Sequence, residues 1–282
     1  MFQVPITYLV DICDDERVRR QLFQEFAACG AKHLNVSDQL LRIALAHPAF
    51  AAQVTREIAA EGMSWVDSHA MASTLEDPVW DLNCLDPKYF KQIVAHRKTE
   101  LQIVADMGVK TMTIHLGNSV APYDTPESIQ RQEENILRCL EELVPYAESC
   151  GVTIGIENIW FKINTPEMLL KFCRWIDSPY LGCCFDSGHA NLAAKGKGLQ
   201  IANDPDVLEK MLPWIINCHI HDNDGLSDQH LAPGEGNVDW AHVTGLLANA
   251  PRLKCIQCET IAKYTSIQAM CSGMQKFFGS TC

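Results

Sequence analysis

Between Ile215 and Trp240 the chain reads IINCHIHDNDGLSDQHLAPGEGNVDW. A short apolar run gives way to His219, His221, Asp222, Asp224, Asp228 and His230, then to a loop punctuated by Pro233, Gly234 and Gly236, and to a helix-start signal at Asp239. Imidazoles and carboxylates gathered just past an apolar β-type run are what a strand would deliver to a metal ion at its C-terminal end. Taken singly, each residue has a plainer use, because Asp, Asn and Gly are also the commonest turn formers. The cluster carries more weight because the pattern recurs: other apolar runs end in His69, His115, Glu157, Asp186 (with His189 beyond it) and Glu259. This donor set is hard oxygen plus imidazole without thiolate. It suits Mn²⁺, Zn²⁺, Fe²⁺, Co²⁺ or Mg²⁺ and does not choose among them.

For these side chains to meet, the runs that carry them must end at one place. In chain order the strand-like runs are Gln3–Val10, His33–Val36, Met63–His69, Lys110–Leu116, Val152–Glu157, Leu181–Asp186, Ile215–Ile220 and Lys254–Cys258. Helical material follows each. It covers Asp14–Cys29, Ser37 to Gly62 with an interruption at Pro48, Pro87–Met107, Thr125–Cys150 with Pro126 in its first turn, Pro166–Ile176, a short stretch and Lys/Gly loop (Ala194–Gly198) before Pro205–Leu212, Trp240–Asn249 and Thr265–Phe278. Strand–helix alternation fits either a closed barrel or an open doubly wound sheet, and eight repeats favour the barrel. The expectation is an α/β fold, a single (β/α)8 TIM barrel over residues 1–282. In such a barrel all the C-terminal strand ends converge on one mouth.

Composition narrows the class. With 282 residues, 47% hydrophobic and 21% charged, the chain can bury a large core. No basic, apolar leader opens it, and no apolar run approaches the roughly 18 residues of a membrane span. The 13 cysteines are scattered, many of them in apolar runs. They read as small buried hydrophobes in a reducing cytoplasm rather than as a disulfide framework. A net charge of −12 argues against a broad nucleic-acid-binding face.

In order along the chain, TIHLG, GIEN, CCFDSGHA, HIHDNDG, DQHLAPGEGNVDW and QCET resemble the xylose isomerase-like TIM barrel superfamily. That group holds sugar isomerases and epimerases, inosose dehydratases, and the apurinic-site endonucleases related to endonuclease IV. The resemblance covers nearly the whole chain. For the isomerase and epimerase members it implies one divalent ion on positions matching Glu157, Asp186, His219 and Glu259, with Glu157 and Glu259 also serving as the acid and base of a proton transfer. For the endonuclease members it implies three zinc ions on positions matching His69, His115, Glu157, Asp186, His189, His219, Asp228, His230 and Glu259. All nine are present in type, so ligand identity does not separate the branches. The ion expected first is Mn²⁺ or Zn²⁺, with Mg²⁺, Co²⁺ or Fe²⁺ as alternatives, and families like this one form dimers or tetramers.

Other residues tilt the choice. The endonuclease motif continues as ENTAG, whereas this chain reads ENIWF, placing Ile159, Trp160 and Phe161 beside the site. Aromatic walls suit the C–H face of a small sugar or polyol. The only dense Lys run, Lys195–Gly196–Lys197, is too short to be a DNA footprint and reads as a solvated loop. The expected function is therefore a divalent-metal-dependent isomerase or epimerase of a small sugar, sugar phosphate or polyol. The alternative is a multi-zinc phosphodiesterase of the endonuclease IV type, and a non-catalytic sugar-binding barrel comes third.

Overall fold

The computed structural model describes residues 2–72, 81–118, 124–196, 204–261 and 265–279. Eight parallel strands close into one barrel in chain order. They are β1 (Ile6–Tyr8), β2 (His33–Val36), β3 (Ser64–His69), β4 (Thr111–Ile114), β5 (Thr153–Glu157), β6 (Leu181–Asp186), β7 (Ile215–Ile220) and β8 (Cys255–Cys258). Around them run α1 (Glu16–Ala28), α2 (Asp38–Ala46), α3 (Pro48–Ala60), α4 (Phe90–Asp106), α5 (Pro126–Cys150), α6 (Pro166–Ile176), α7 (Ser187–Ala194), α8 (Val207–Met211), α9 (Trp240–Leu247) and α10 (Ile267–Phe278). This is the TIM barrel that the alternation predicted.

Local chemistry sets the boundaries. Asp15, Ser37, Thr125, Thr165, Asp186, Asp239 and Ser266 each accept a backbone N–H at the start of a helix, satisfying donors that the helix itself leaves open. Pro48 ends one helix at Ala46 and opens the next, as its missing N–H requires. Two strands are shorter by more than one residue than the apolar runs that announced them. Gln3–Val10 contributes only Ile6–Tyr8, the part that finds partners on β2 and β8, and Lys110–Leu116 narrows to Thr111–Ile114, so His115 stands just beyond the ladder. The expected helix Pro205–Leu212 contracts to Val207–Met211. Lys197 and Gly198 of the expected Lys/Gly loop lie outside the described residues. Among the described residues no helix is long and apolar enough to cross a membrane, and no cysteine is in a disulfide.

Leu34, Val36, Met112, Ile114, Ile154 and Ile156 are fully buried and form part of one apolar cluster with the helices. The barrel interior differs. Asn35 bonds Gln257 across β2 and β8, Asp67 bonds Asn217 across β3 and β7, and Asn217 bonds Thr113 across β7 and β4. None of these strand pairs is adjacent, so the bonds run through the lumen. Branched aliphatics usually fill that space. Here polar side chains do, and they lie directly beneath the mouth.

Candidate metal centre

The strand ends deliver their side chains into one connected cluster. Glu157, at the end of β5, is buried and lies at its centre. Its Oε2 lies 3.0 Å from His115 Nε2, 3.6 Å from His69 Nε2 and 3.3 Å from His219 Nδ1, and its Oε1 lies 3.3 Å from His189 Nδ1. Glu259, just past β8, approaches the same His219 Nδ1 to 3.1 Å. Asp186, at the end of β6, lies 3.4 Å from His189 Nδ1 and 3.1 Å from His221 Nε2. Asp228 joins from the loop after β7, with Oδ2 3.6 Å from His189 Nε2 and 3.1 Å from His230 Nε2. A cavity of about 350 Å³ opens over this group, walled by Ile159, Trp160 and Phe161, and the Trp160 ring meets His189 edge-on at 4.8 Å. Larger grooves lie elsewhere. The most apolar of them, between α2, α3 and α4, has Asp106 as its one ionisable group and offers no comparable chemistry.

The donor set fits a cation on two observations. His219 Nδ1 is buried and lies within reach of two carboxylates, yet makes a directed hydrogen bond to neither. That is the arrangement expected of atoms aimed at a shared centre rather than at one another. The second is the fixing of ring orientation from behind. His69 hydrogen-bonds Ala70 O at 2.7 Å, His189 bonds Asn158 O at 2.9 Å and His230 bonds Glu259 O at 2.7 Å, each through Nδ1. A carbonyl only accepts, so each ring carries its hydrogen on Nδ1 and turns Nε2 toward the mouth, as metal-ligating histidines do. Groups of these side chains, such as His69 with His115 and Glu157, bring their ligand atoms within 4.8 Å of one another.

Burial opposes charge on all of these groups, and opposite charges nearby overcome it. Burial would raise the Glu157 carboxyl, but His219 and His115 hold it well below the usual carboxylate range; His219 likewise brings Glu259 to about 2. Against the pull of burial, Cys184, Glu259 and Glu157 push the His219 imidazole well above its ordinary range, and Asp186, Asp228 and Glu157 do the same to His189. His230 rises to about 9 beside Asp228 and Glu259. Without a cation the electrostatics therefore favour imidazolium at His219, His189 and His230, each facing the carboxylates beside it.

The structure divides roles that the sequence left together. Asp222 is not in the cavity: its carboxylate accepts from Gly234 N, Val238 N and Trp240 Nε1, tying down the loop that carries Asp228 and His230. Asp224 caps the turn at Leu226 and Ser227. His221 stacks on His230 at 3.9 Å, and its ring occupies the space where a side chain at Gly188 would stand, a Cβ there falling 1.9 Å from Cε1. Asp186 is both a cluster member and the cap of α7, accepting from His189 N at 2.6 Å. His230 adopts φ 49°, a conformation that costs a non-glycine residue energy and recurs at functional sites. Sequence reading missed Asn158, which brackets Asp186 by bonding both its N–H and its carbonyl, and Cys184, Thr113 and Asn217 beneath His219. The available signal was the period of two: Thr113, Cys184 and Asn217 each stand two residues before a residue already singled out, hence on the same inward face.

An uncharacterized protein of Methanocaldococcus jannaschii is 39% identical over 117 residues, a match that spans 39% of this chain and 37% of that protein. Among solved structures, a D-tagatose 3-epimerase-like protein superposes with a TM-score of 0.75 at 22% identity, covering 96% of both chains. The IOLI protein with a bound zinc atom superposes with a TM-score of 0.71 at 15% identity over 99% of each. At those identities the structural likeness establishes the fold. The model of the xylose isomerase-like TIM barrels matches residues 23–272, and the chain belongs to that family.

Proposed function

We propose that the protein is a divalent-metal-dependent isomerase or epimerase of a small sugar or polyol. The observation that carries this reading is the convergence of Glu157 and Glu259, from β5 and β8, on His219 Nδ1 at the floor of a cavity with an aromatic wall. The D-tagatose 3-epimerase-like neighbour and the zinc-containing one fit it. Glu157, Asp186, His219 and Glu259 would hold the ion, which supplies Lewis-acid polarisation of substrate oxygens when bound.

The remaining chemistry belongs to the chain. A C–H beside a carbonyl is a weak acid, so a base must lie within hydrogen-bond reach and the developing negative charge must be stabilised. Glu157 and Glu259 are both held ionised and stand on different strands. One, ionised, takes the proton, the electron pair of the broken C–H bond moves into the enediolate, and the other, having first taken up a proton from solvent, delivers that proton. Delivery to the opposite face of the same carbon gives an epimer; delivery to the neighbouring carbon, with the hydroxyl proton passing from one substrate oxygen to the other, gives an aldose–ketose isomer. Trp160 and Phe161 place the C–H face of the substrate and keep water from it.

A second reading, phosphodiester hydrolysis with several zinc ions, is favoured by the carbonyl-fixed rings of His69, His189 and His230, which present three further nitrogens to the same mouth. Metal analysis together with an abasic-site oligonucleotide separates the two. About one ion per chain and an intact oligonucleotide support the isomerase; about three zinc ions with strand cleavage replace it.

A further inference from the structure

Beneath the cavity, a set of buried groups backs one of the proposed ion-holding residues, His219. Thr113 on β4, Asn217 and His219 on β7 and Asp67 on β3 are all fully buried. His219 Nε2 lies 3.2 Å from Thr113 Oγ1. Asn217 Nδ2 donates to the same oxygen at 2.8 Å and approaches the two Asp67 oxygens at 3.4 and 3.3 Å. Thr111 Oγ1 donates to Asp67 Oδ1 at 2.5 Å. Gly155 on β5 makes room for the amide, since a Cβ there would fall 2.5 Å from Asn217 Oδ1.

An amide has nearly the same shape in either orientation, so its neighbours choose which end faces where. The Asp67 carboxylate accepts and does not donate, and it holds the NH2 end toward itself and Thr113. Asn217 Oδ1 is left without a partner, so the orientation serves the NH2 rather than the oxygen. One lone pair of the Thr113 hydroxyl is then occupied by the amide, and its hydrogen has the Cys184 thiol as a partner. The other lone pair faces His219 Nε2, where it can take only an N–H. A neutral imidazole has one such hydrogen, and placing it on Nε2 leaves Nδ1 bare before Glu157 and Glu259.

We infer that Thr113, oriented by Asn217 and Asp67, is a positioning residue that fixes the Nε2–H tautomer of His219 and so presents its Nδ1 lone pair to the site. The consequence for metal binding rests on the metal-centre reading; the tautomer does not. Thr113→Val keeps the shape and removes the acceptor, Thr113→Ser keeps the hydroxyl, and Asp67→Asn frees the amide to turn should the valine variant not fold. The ¹⁵N spectrum of His219 in metal-free protein, at a pH that neutralises the ring, is expected to show Nε2–H in the wild type and in Thr113→Ser and a shift toward Nδ1–H in Thr113→Val and Asp67→Asn. Competition of Zn²⁺ alone against a chromophoric chelator is expected to show roughly 10- to 100-fold weaker binding in Thr113→Val and wild-type binding in Thr113→Ser. Folded Thr113→Val or Asp67→Asn protein that retains both Nε2–H and wild-type zinc affinity overturns the inference, as does a serine variant as impaired as the valine one. A wild type that shows the Nε2–H tautomer but binds no zinc supports the seat and removes the metal reading.

Discussion

The two rims of the barrel treat charge in opposite ways. At the N-terminal rim two cations, Arg252 and Lys254, meet neutral acceptors. Arg252 Nη2 lies 3.2, 3.2 and 2.9 Å from the carbonyls of Ser178, Pro179 and Leu181, its guanidinium stacks on Trp214, and Lys254 Nζ donates to Thr153 Oγ1 at 2.7 Å. At the mouth, Glu157, Asp186, Asp228 and Glu259 are packed among His69, His115, His189, His219, His221 and His230. The N-terminal rim ties segments together and is complete as it stands. The mouth satisfies its carboxylates only if the imidazoles carry protons or a cation takes their place, which is how a binding site differs from a structural contact even when both are polar and buried.

The sharpest way to break this comparison is to neutralise a mouth carboxylate. Glu157→Gln or Glu259→Gln, with the ion still bound, is expected to lower the proton-transfer rate by roughly 10²- to 10⁴-fold, the usual contribution of a positioned acid or base. Wild-type turnover in either variant would reduce that glutamate to a ligand.

A smaller effect follows from pH. The His219, His189 and His230 imidazoles have raised pKa values when no cation is bound. A raised folded-state value means that their stabilisation is fully present below the ordinary value of about 6.5 and is lost as pH rises through the folded one. For His230 that upper limit is about 9. The melting temperature of chelator-treated protein should therefore fall between about pH 6.5 and 9, and saturating Zn²⁺ should flatten the decline because the ion replaces the protons. A melting temperature that rises across this window without metal would contradict the charge assignment. The smallest effect belongs to the other rim: Lys254→Met is expected to cost about 1 kcal/mol of stability, the worth of one hydrogen bond, and to leave turnover unchanged.

Why the mouth was legible in the sequence and the seat below it was not is a matter of distance along the chain. His69, His115, Glu157, Asp186, His219 and Glu259 each sit where an apolar run meets turn residues, and a barrel gathers all such places. Asp222 and Asp228 are the same residue type six positions apart, yet one anchors the loop through Trp240 and the other reaches His189 and His230. Only the path of the chain distinguishes them. The Thr113–Asn217–Asp67 seat depends on which strands face one another across the lumen, something local periodicity does not encode. The full extent of β1 was overstated because apolar residues continue past the point where its neighbours stop pairing.

The central claim is proton transfer at a substrate carbon beside a carbonyl, and isotope exchange tests it most directly. Metal-loaded protein is incubated with a panel of ketoses in D₂O and the sugars are examined by NMR and mass spectrometry. Deuterium is predicted at the carbon adjacent to the carbonyl of at least one ketose, and the label should disappear in Glu157→Gln and Glu259→Gln protein that retains its ion. No exchange with any ketose, from protein that instead carries about three zinc ions and cleaves an abasic-site oligonucleotide, would contradict it.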